Sequence, residues 1–186
     1  MDVKELYEQA VRLATDVVNK VEDTDYDQPT PDTEWTVRDL LNHMLYELAW
    51  AADILHGKTV AEVGDAYDGN LIGDDLQAEW QRYAEAALSA LDDIELTDTI
   101  HLSFGDFSAE YYLWQNGNDL AIHAWDLGEG IGEEVVFAQP LAEALYNYAL
   151  ERADELAASD LFGDPIEVPD SADTQTKLLG LYGRQR

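Results

Sequence analysis

The sequence predicts an all-α fold, a helical bundle interrupted by one short β-hairpin. Apolar residues recur three or four apart through most of the chain, the signature of helices with one buried face. The stretches between those runs are modest in length and rich in Gly, Pro and Asp, which suits helices packed side by side. A single segment, Thr99 to Phe104, alternates instead. With 186 residues, 46% of them apolar, the chain is long enough to bury one substantial core.

The elements follow in order. Residues 2 to 22 read as a first helix, with Val3, Leu6, Ala10, Leu13, Val17 and Val21 on one face. A polar stretch with Pro follows to Glu34. Thr36-Val-Arg-Asp39 is a capping box, in which the Thr hydroxyl and the Asp carboxylate satisfy amides that open a second helix. That helix runs to about His56, where Gly57 ends it, and residues 58 to 70 read as a loop. A third helix spans about 71 to 92, with Leu76, Trp80, Tyr83, Ala87, Leu88 and Leu91 facing inward. In the alternating segment Ile100, Leu102 and Phe104 oppose His101 and Ser103, with the turn expected at Gly105-Asp106. A fourth helix begins near Ser108 and is expected to end before Gly128. Pro140 suits the first turn of a fifth helix reaching about Ala158. Asp173 to Tyr182 is a short amphipathic piece closed by Gly183. With no repeat or clear boundary, residues 1–186 read as a single helical domain, the C-terminal tail 159–186 packing on it.

Forty acidic against ten basic side chains give a formal net charge of −30. Such a surface repels phosphate backbones and anionic lipid headgroups, so nucleic-acid and membrane partners are excluded. Acids occur in every segment, while lysine occurs at Lys4, Lys20, Lys58 and Lys177 alone. The composition resembles that of halophilic proteins, whose self-repulsion is screened where the Debye length falls to about 3 Å in 1 M salt. Cysteine is absent, which removes disulfides, a thiol nucleophile and thiolate metal ligands. The opening residues lack the basic-then-apolar order of a signal peptide, and no apolar run is long enough to span a membrane, so a cytoplasmic location is expected.

Four histidines are weighed individually. On the second helix Val37, Leu40, Leu41, Met44, Leu48, Ala51 and Leu55 form the apolar arc, with Arg38, Asp39, Asn42, Tyr46 and Asp53 opposite. His43 falls at the edge of that arc, flanked by Glu47, Trp50 and Ile54. On the fourth helix Tyr112, Leu113, Asn116, Leu120, His123 and Leu127 face inward, and Asp119 lies beside them. Asp119 and His123 stand four apart, one turn above the other, and can chelate one ion. With His43 from a facing helix they offer two imidazoles and a carboxylate, leaving coordination positions for water or substrate. The competing reading is a pair of hydrogen-bonded core histidines. Glu47 competes with Asp119 for the carboxylate role, and Asp126 is placed to orient an imidazole from behind. His56, in the last turn of its helix, and His101, on the polar face of a strand, read as structural. No Glu-x-x-His pair, HExxH, phosphate-binding glycine loop or Gly-x-Ser-x-Gly elbow is present.

The segment Glu34-Trp35-Thr36-Val37-Arg38-Asp39-Leu40-Leu41-Asn42-His43 resembles one found in DinB-like metal-binding proteins. More narrowly it is similar to the group related to the N-terminal domain of mycothiol-dependent maleylpyruvate isomerase. Asp119-Leu-Ala-Ile-His123-Ala-Trp-Asp126 matches that group's acid-x-x-x-His-x-Trp-Asp, and Leu178-Leu179-Gly180-Leu181-Tyr182-Gly183-Arg184 its closing Leu-Leu-x-x-x-Gly-Arg. The resemblance implies a DinB-like four-helix bundle with an extra C-terminal helix and a short β-hairpin. It implies a divalent metal ion, zinc or nickel, held by His43, Asp119 and His123, where many relatives carry Glu at the acid position. It further implies an isomerase or transferase in which the metal activates a low-molecular-weight thiol such as mycothiol or bacillithiol, the thiol being a cosubstrate. The expected partners are a small-molecule substrate and that thiol, and a homodimer is compatible with the pattern. The alternative function is a non-catalytic metal-binding or interaction bundle.

Overall fold

The computed structural model describes residues 1–32, 34–157 and 163–186. Four long helices form the bundle: α1 (Val3–Val18), α2 (Val37–Leu55), α4 (Leu76–Asp93) and α5 (Ala109–Ile131). The one-turn helix α3 (Val60–Val63) lies between α2 and α4, and β1 (Thr99–Leu102) and β2 (Gly105–Ser108) between α4 and α5. After them come α6 (Gln139–Glu151), α7 (Ala153–Ala157) and α8 (Thr174–Leu181). Both α1 and α2 pack against α4 and α5, closing a ring around the core, while α8 packs on α6 and α6 on α1. The predicted all-helical bundle with a hairpin and a C-terminal helix is therefore the architecture observed.

Local chemistry sets the helix starts. Asp2, Thr36, Thr59, Asp75, Ser108 and Asp173 each accept a hydrogen bond from the amide three residues on. The predicted Thr36/Asp39 box is closed reciprocally, Asp39 N–H to Thr36 Oγ1 at 3.3 Å and Thr36 N–H to Asp39 Oδ2 at 3.0 Å. A second box, Thr59 with Glu62, raises α3 inside the stretch read as loop. Asp75 explains why the third predicted helix starts at Leu76 and not at 71. The preceding loop is docked on α2 by Asn42, whose amide donates to the Gly69 carbonyl at 3.0 Å and whose Oδ1 accepts from Leu71 N–H at 2.7 Å.

Several helix ends differ from expectation. The first helix stops at Val18, after which Lys20 and Val21 bond three residues back in a tightened turn; Val21 is buried all the same. The fourth does not end before Gly128 but continues to Ile131, and Gly132 (φ 74°) terminates it in the left-handed conformation. Gly128 serves close approach: a Cβ there would stand 2.3 Å from Val135 Cγ2. The hairpin turns at Ser103-Phe104, because Leu102 pairs with Gly105; the expected turn residues Gly105 and Asp106 belong to β2. Phe104 is consequently exposed and not inward. The fifth predicted helix breaks at Arg152, and its expected end at Ala158 lies outside the described residues.

The α2 arc and the α5 stripe are all buried, while Leu13, Leu88 and Leu102, also expected inward, are only partly buried against the core. The described part of the C-terminal tail is sewn to the bundle by Gln175, which donates to the Val135 carbonyl at 2.8 Å and accepts from Phe137 N–H at 3.0 Å. No described helix is long and apolar enough to cross a membrane.

Candidate metal centre

The packing of α2 against α5 brings His43, Asp119 and His123 together. One nitrogen or oxygen from each lies within 4.8 Å of the others. His43 Nε2 is 3.4 Å from Asp119 Oδ2, and His123 Nε2 is 3.5 Å from Asp119 Oδ1. Adjacent ligand atoms around a tetrahedral zinc, with bonds of about 2.0–2.2 Å, stand about 3.3–3.6 Å apart. Two of the three donor pairs have this spacing, each through a different Asp119 oxygen, while the full set spans up to 4.8 Å, so closing on one ion draws the side chains inward. His43 Nε2 is buried yet makes no hydrogen bond, a state that costs about 1–3 kcal/mol unless something fills the gap. The three side chains differ in exposure: His123 is 4% exposed, whereas His43 and Asp119 are 25% and 24%.

The surroundings prepare these groups. Trp35, from the segment leading into α2, lies over both imidazoles, its ring centroid 4.6 Å from that of His43 and 5.7 Å from that of His123. The two imidazoles meet edge-on at 5.0 Å. Asp126 Oδ2 is 3.1 Å from His123 Nδ1, which leaves Nε2 for Asp119 and an ion. Burial by itself would push Asp119 up and His123 down. The attraction between them wins, holding Asp119 well below the usual carboxylate range. With Asp126 adding to it, His123 is raised to about 10. Without a cation, the cluster therefore keeps a proton where a cation would otherwise sit.

Glu47 is not among the three. Its Oε2 accepts from Asn116 Nδ2 at 2.9 Å, and burial, with repulsion from Asp119, raises its pKa to about 7. The buried Tyr7 hydroxyl and Asn116 Oδ1 lack partners in the same neighbourhood, and the charge of Glu47 is felt by both Tyr7 and Tyr112. His56, at the exposed end of α2, turns Nδ1 to the Ala52 carbonyl at 2.6 Å, and His101 pairs across the hairpin with Asp106 at 2.7 Å. Neither joins the cluster, as the sequence predicts. The role of Trp35 was not visible in the helical periodicity, because it precedes the helix; its place directly before the capping box is the one local signal.

Residues 7–128 match the family described as the mycothiol maleylpyruvate isomerase N-terminal domain. The chain belongs to this family. The matched span holds the whole candidate centre, from Trp35 through His43 and Asp119 to His123 and Asp126, and stops short of the C-terminal tail. No curated protein sequence matches the chain. Two crystal structures of mycothiol-dependent maleylpyruvate isomerase share its fold. One, a histidine-to-alanine variant, superposes with a TM-score of 0.62 and the other with 0.61. Each is 16% identical, with 84% of this chain and 70% of that chain covered. The family relationship agrees with the DinB-like architecture of the bundle.

Proposed function

We propose that the chain, as one DinB-like unit over residues 1–186, binds a divalent metal ion, zinc or nickel, through His43, Asp119 and His123. We further propose that it uses a low-molecular-weight thiol to isomerise or transfer a small-molecule substrate. The observation that carries this reading is the spacing of the donors. Three donors from two facing helices lie within 4.8 Å of one another, and two of the pairs, at 3.4 and 3.5 Å, are as close as neighbouring ligands of a small ion. No fourth His, Asp or Glu among the described residues closes the set. Three protein donors leave a coordination position for a ligand from solution.

A cation bound there supplies Lewis acidity that lets a coordinating thiol lose its proton near neutral pH. The protein's own groups do the rest. His43, Asp119 and His123 fix the position, Trp35 shields the imidazoles on one side, and Asp126 holds His123 in orientation. Glu47, bonded to Asn116 and close enough to feel the charges of Asp119 and both histidines, is the carboxylate we assign to accept the thiol proton. With no cysteine in the chain, the thiol comes from solution, and the reducing cytoplasm is where such thiols persist.

The test is metal analysis of protein purified without chelator in molar KCl, followed by a screen of thiols and α-keto-acid or alkene isomerisation substrates. The reading expects one ion per chain and a turnover that needs both metal and thiol. Stoichiometric metal with no thiol-dependent turnover supports the non-catalytic bundle instead, and absence of metal binding ends both.

A further inference from the structure

Behind His123 runs a buried chain of charge that the ligand set does not use. Asp126 has no exposed surface, and its Oδ2 contacts His123 Nδ1 at 3.1 Å. Arg184, from the tail beyond α8, grips the same carboxylate with two bonds, Nε to Oδ1 at 3.0 Å and Nη2 to Oδ2 at 2.7 Å. Arg184 is itself 5% exposed. Its Nη1 donates to the Tyr182 carbonyl at 3.0 Å, and Nη2 also reaches Asp32 Oδ2 at 3.4 Å. Asp32 lies in the segment that carries Trp35 over the two imidazoles.

The guanidinium is held as firmly as it holds. Arg184 N–H donates to the Leu179 carbonyl at 2.9 Å. Gly183, at φ 75°, lies so close to Gly163 that a Cβ would stand 2.7 Å from that residue's carbonyl carbon and oxygen. The Tyr182 hydroxyl donates to Asn118 Oδ1 at 3.1 Å, beside Asp119 on α5. The tail therefore returns to the metal-bearing helix at two points.

A histidine that binds a cation through Nε2 must carry its ring proton on Nδ1, and an acceptor at Nδ1 enforces this. That acceptor works only if its own plane is fixed. A two-bond fork from arginine fixes a carboxylate plane, whereas lysine supplies a point charge without that geometry. We propose that Arg184 is a positioning residue of the metal centre: it orients Asp126, which holds His123 with Nδ1–H inward and Nε2 toward the cation. The C-terminal tail is thereby part of the site, although the matched family span ends before it. This inference rests on the metal-binding reading above. The clamp closes on the carboxylate that meets His123 at Nδ1, the ring nitrogen turned away from Asp119.

The experiment uses full-length Arg184→Gln, Arg184→Lys, Asp126→Asn and the double variant Arg184→Gln/Asp126→Asn. Arg186→Gln is the control, since Arg186 pairs with Asp173 and Glu134 in exposed bridges. Zinc affinity is read by chelator competition in molar KCl, and the hydrogen-bonded Nδ1–H of His123 by its solvent-protected proton resonance in metal-free protein. Arg184→Gln is expected to bind zinc about 10–100-fold more weakly and to lose the protected resonance, with Arg184→Lys between it and the parent. The double variant should bind no more weakly than the poorer single variant, because both act through one carboxylate. Arg186→Gln should match the parent. If Arg184→Gln does not fold, Arg184→Lys carries both readouts. Parental affinity with an intact resonance, or additive losses in the double variant, would overturn the proposal. If the parent itself binds no zinc, the metal reading fails, and the resonance still reports whether Arg184 governs His123.

Discussion

Asn116 donates its amide to Glu47 at 2.9 Å, giving that carboxylate a partner on α5 other than the two histidines. Glu47 follows His43 by one turn of α2, so spacing along the helix alone makes it as good a candidate as Asp119. On the facing helix Asn116 bonds Glu47, while Asp119 lies within 3.5 Å of both imidazoles, which favours Asp119 as the ligand. Glu47→Gln is accordingly expected to keep stoichiometric metal and to slow any thiol-dependent turnover. Asp119→Ala should lose the metal, and isothermal titration with zinc and nickel distinguishes the two.

His123→Ala should abolish stoichiometric binding, and His56→Ala should leave it intact. The first removes a buried donor at 3.5 Å from Asp119, the second an exposed imidazole turned to its own helix. Metal content after dialysis is the measurement. Saturating metal at 100 times its dissociation constant should also stabilise the parent by about 2.7 kcal/mol, and this gain should vanish in His123→Ala.

The metal-free protein should lose stability as pH rises from about 4.5 to about 7 on account of Glu47. Its folded pKa, raised by burial to about 7, lies above the unfolded value, so the folded state holds the extra proton in that window. The stabilising contribution is complete below the window and lost as pH passes through the folded value. His123, raised to about 10, adds a second loss between about pH 6.5 and 10. Denaturant midpoints across pH, compared between parent and Glu47→Gln, isolate the first contribution.

Thermal stability should climb steeply from low to molar KCl. A net charge of −30 opposes the compact state, and about 1 M salt screens most repulsion beyond roughly 3 Å. A melting temperature flat across that range would remove the argument for a saline working milieu.

Gly128→Ala should destabilise by about 1–3 kcal/mol, since the new methyl would overlap Val135 Cγ2 and approach the Glu133 carbonyl at 2.8 Å. Chemical denaturation measures the change.

Much of the fold was legible because helices announce themselves by period and cap. The inward residues of α2 and α5, and the Thr36/Asp39 box, were readable from spacing alone. What escaped reading depends on contacts between distant segments. Gly128 looks like a terminator until Val135 is seen against it, and Phe104 looks like a core residue until Leu102 pairs with Gly105. In the site, His43, Asp119 and His123 stood out as polar groups on or beside inward faces. The hold of Asn116 on Glu47, the cover of Trp35 and the reach of Arg184 to Asp126 are set by the packing of separate elements, and periodicity carries no signal for them.

The depth of the Arg184–Asp126 pair gives the molecule two electrical compartments. Dissolved ions reach the acidic exterior freely, so the outer charges weaken as the medium is concentrated. They do not reach a guanidinium 5% exposed against a carboxylate with no exposed surface. The brace behind His123 should thus keep one strength from dilute buffer to brine, while the shell around it answers to every change in the medium.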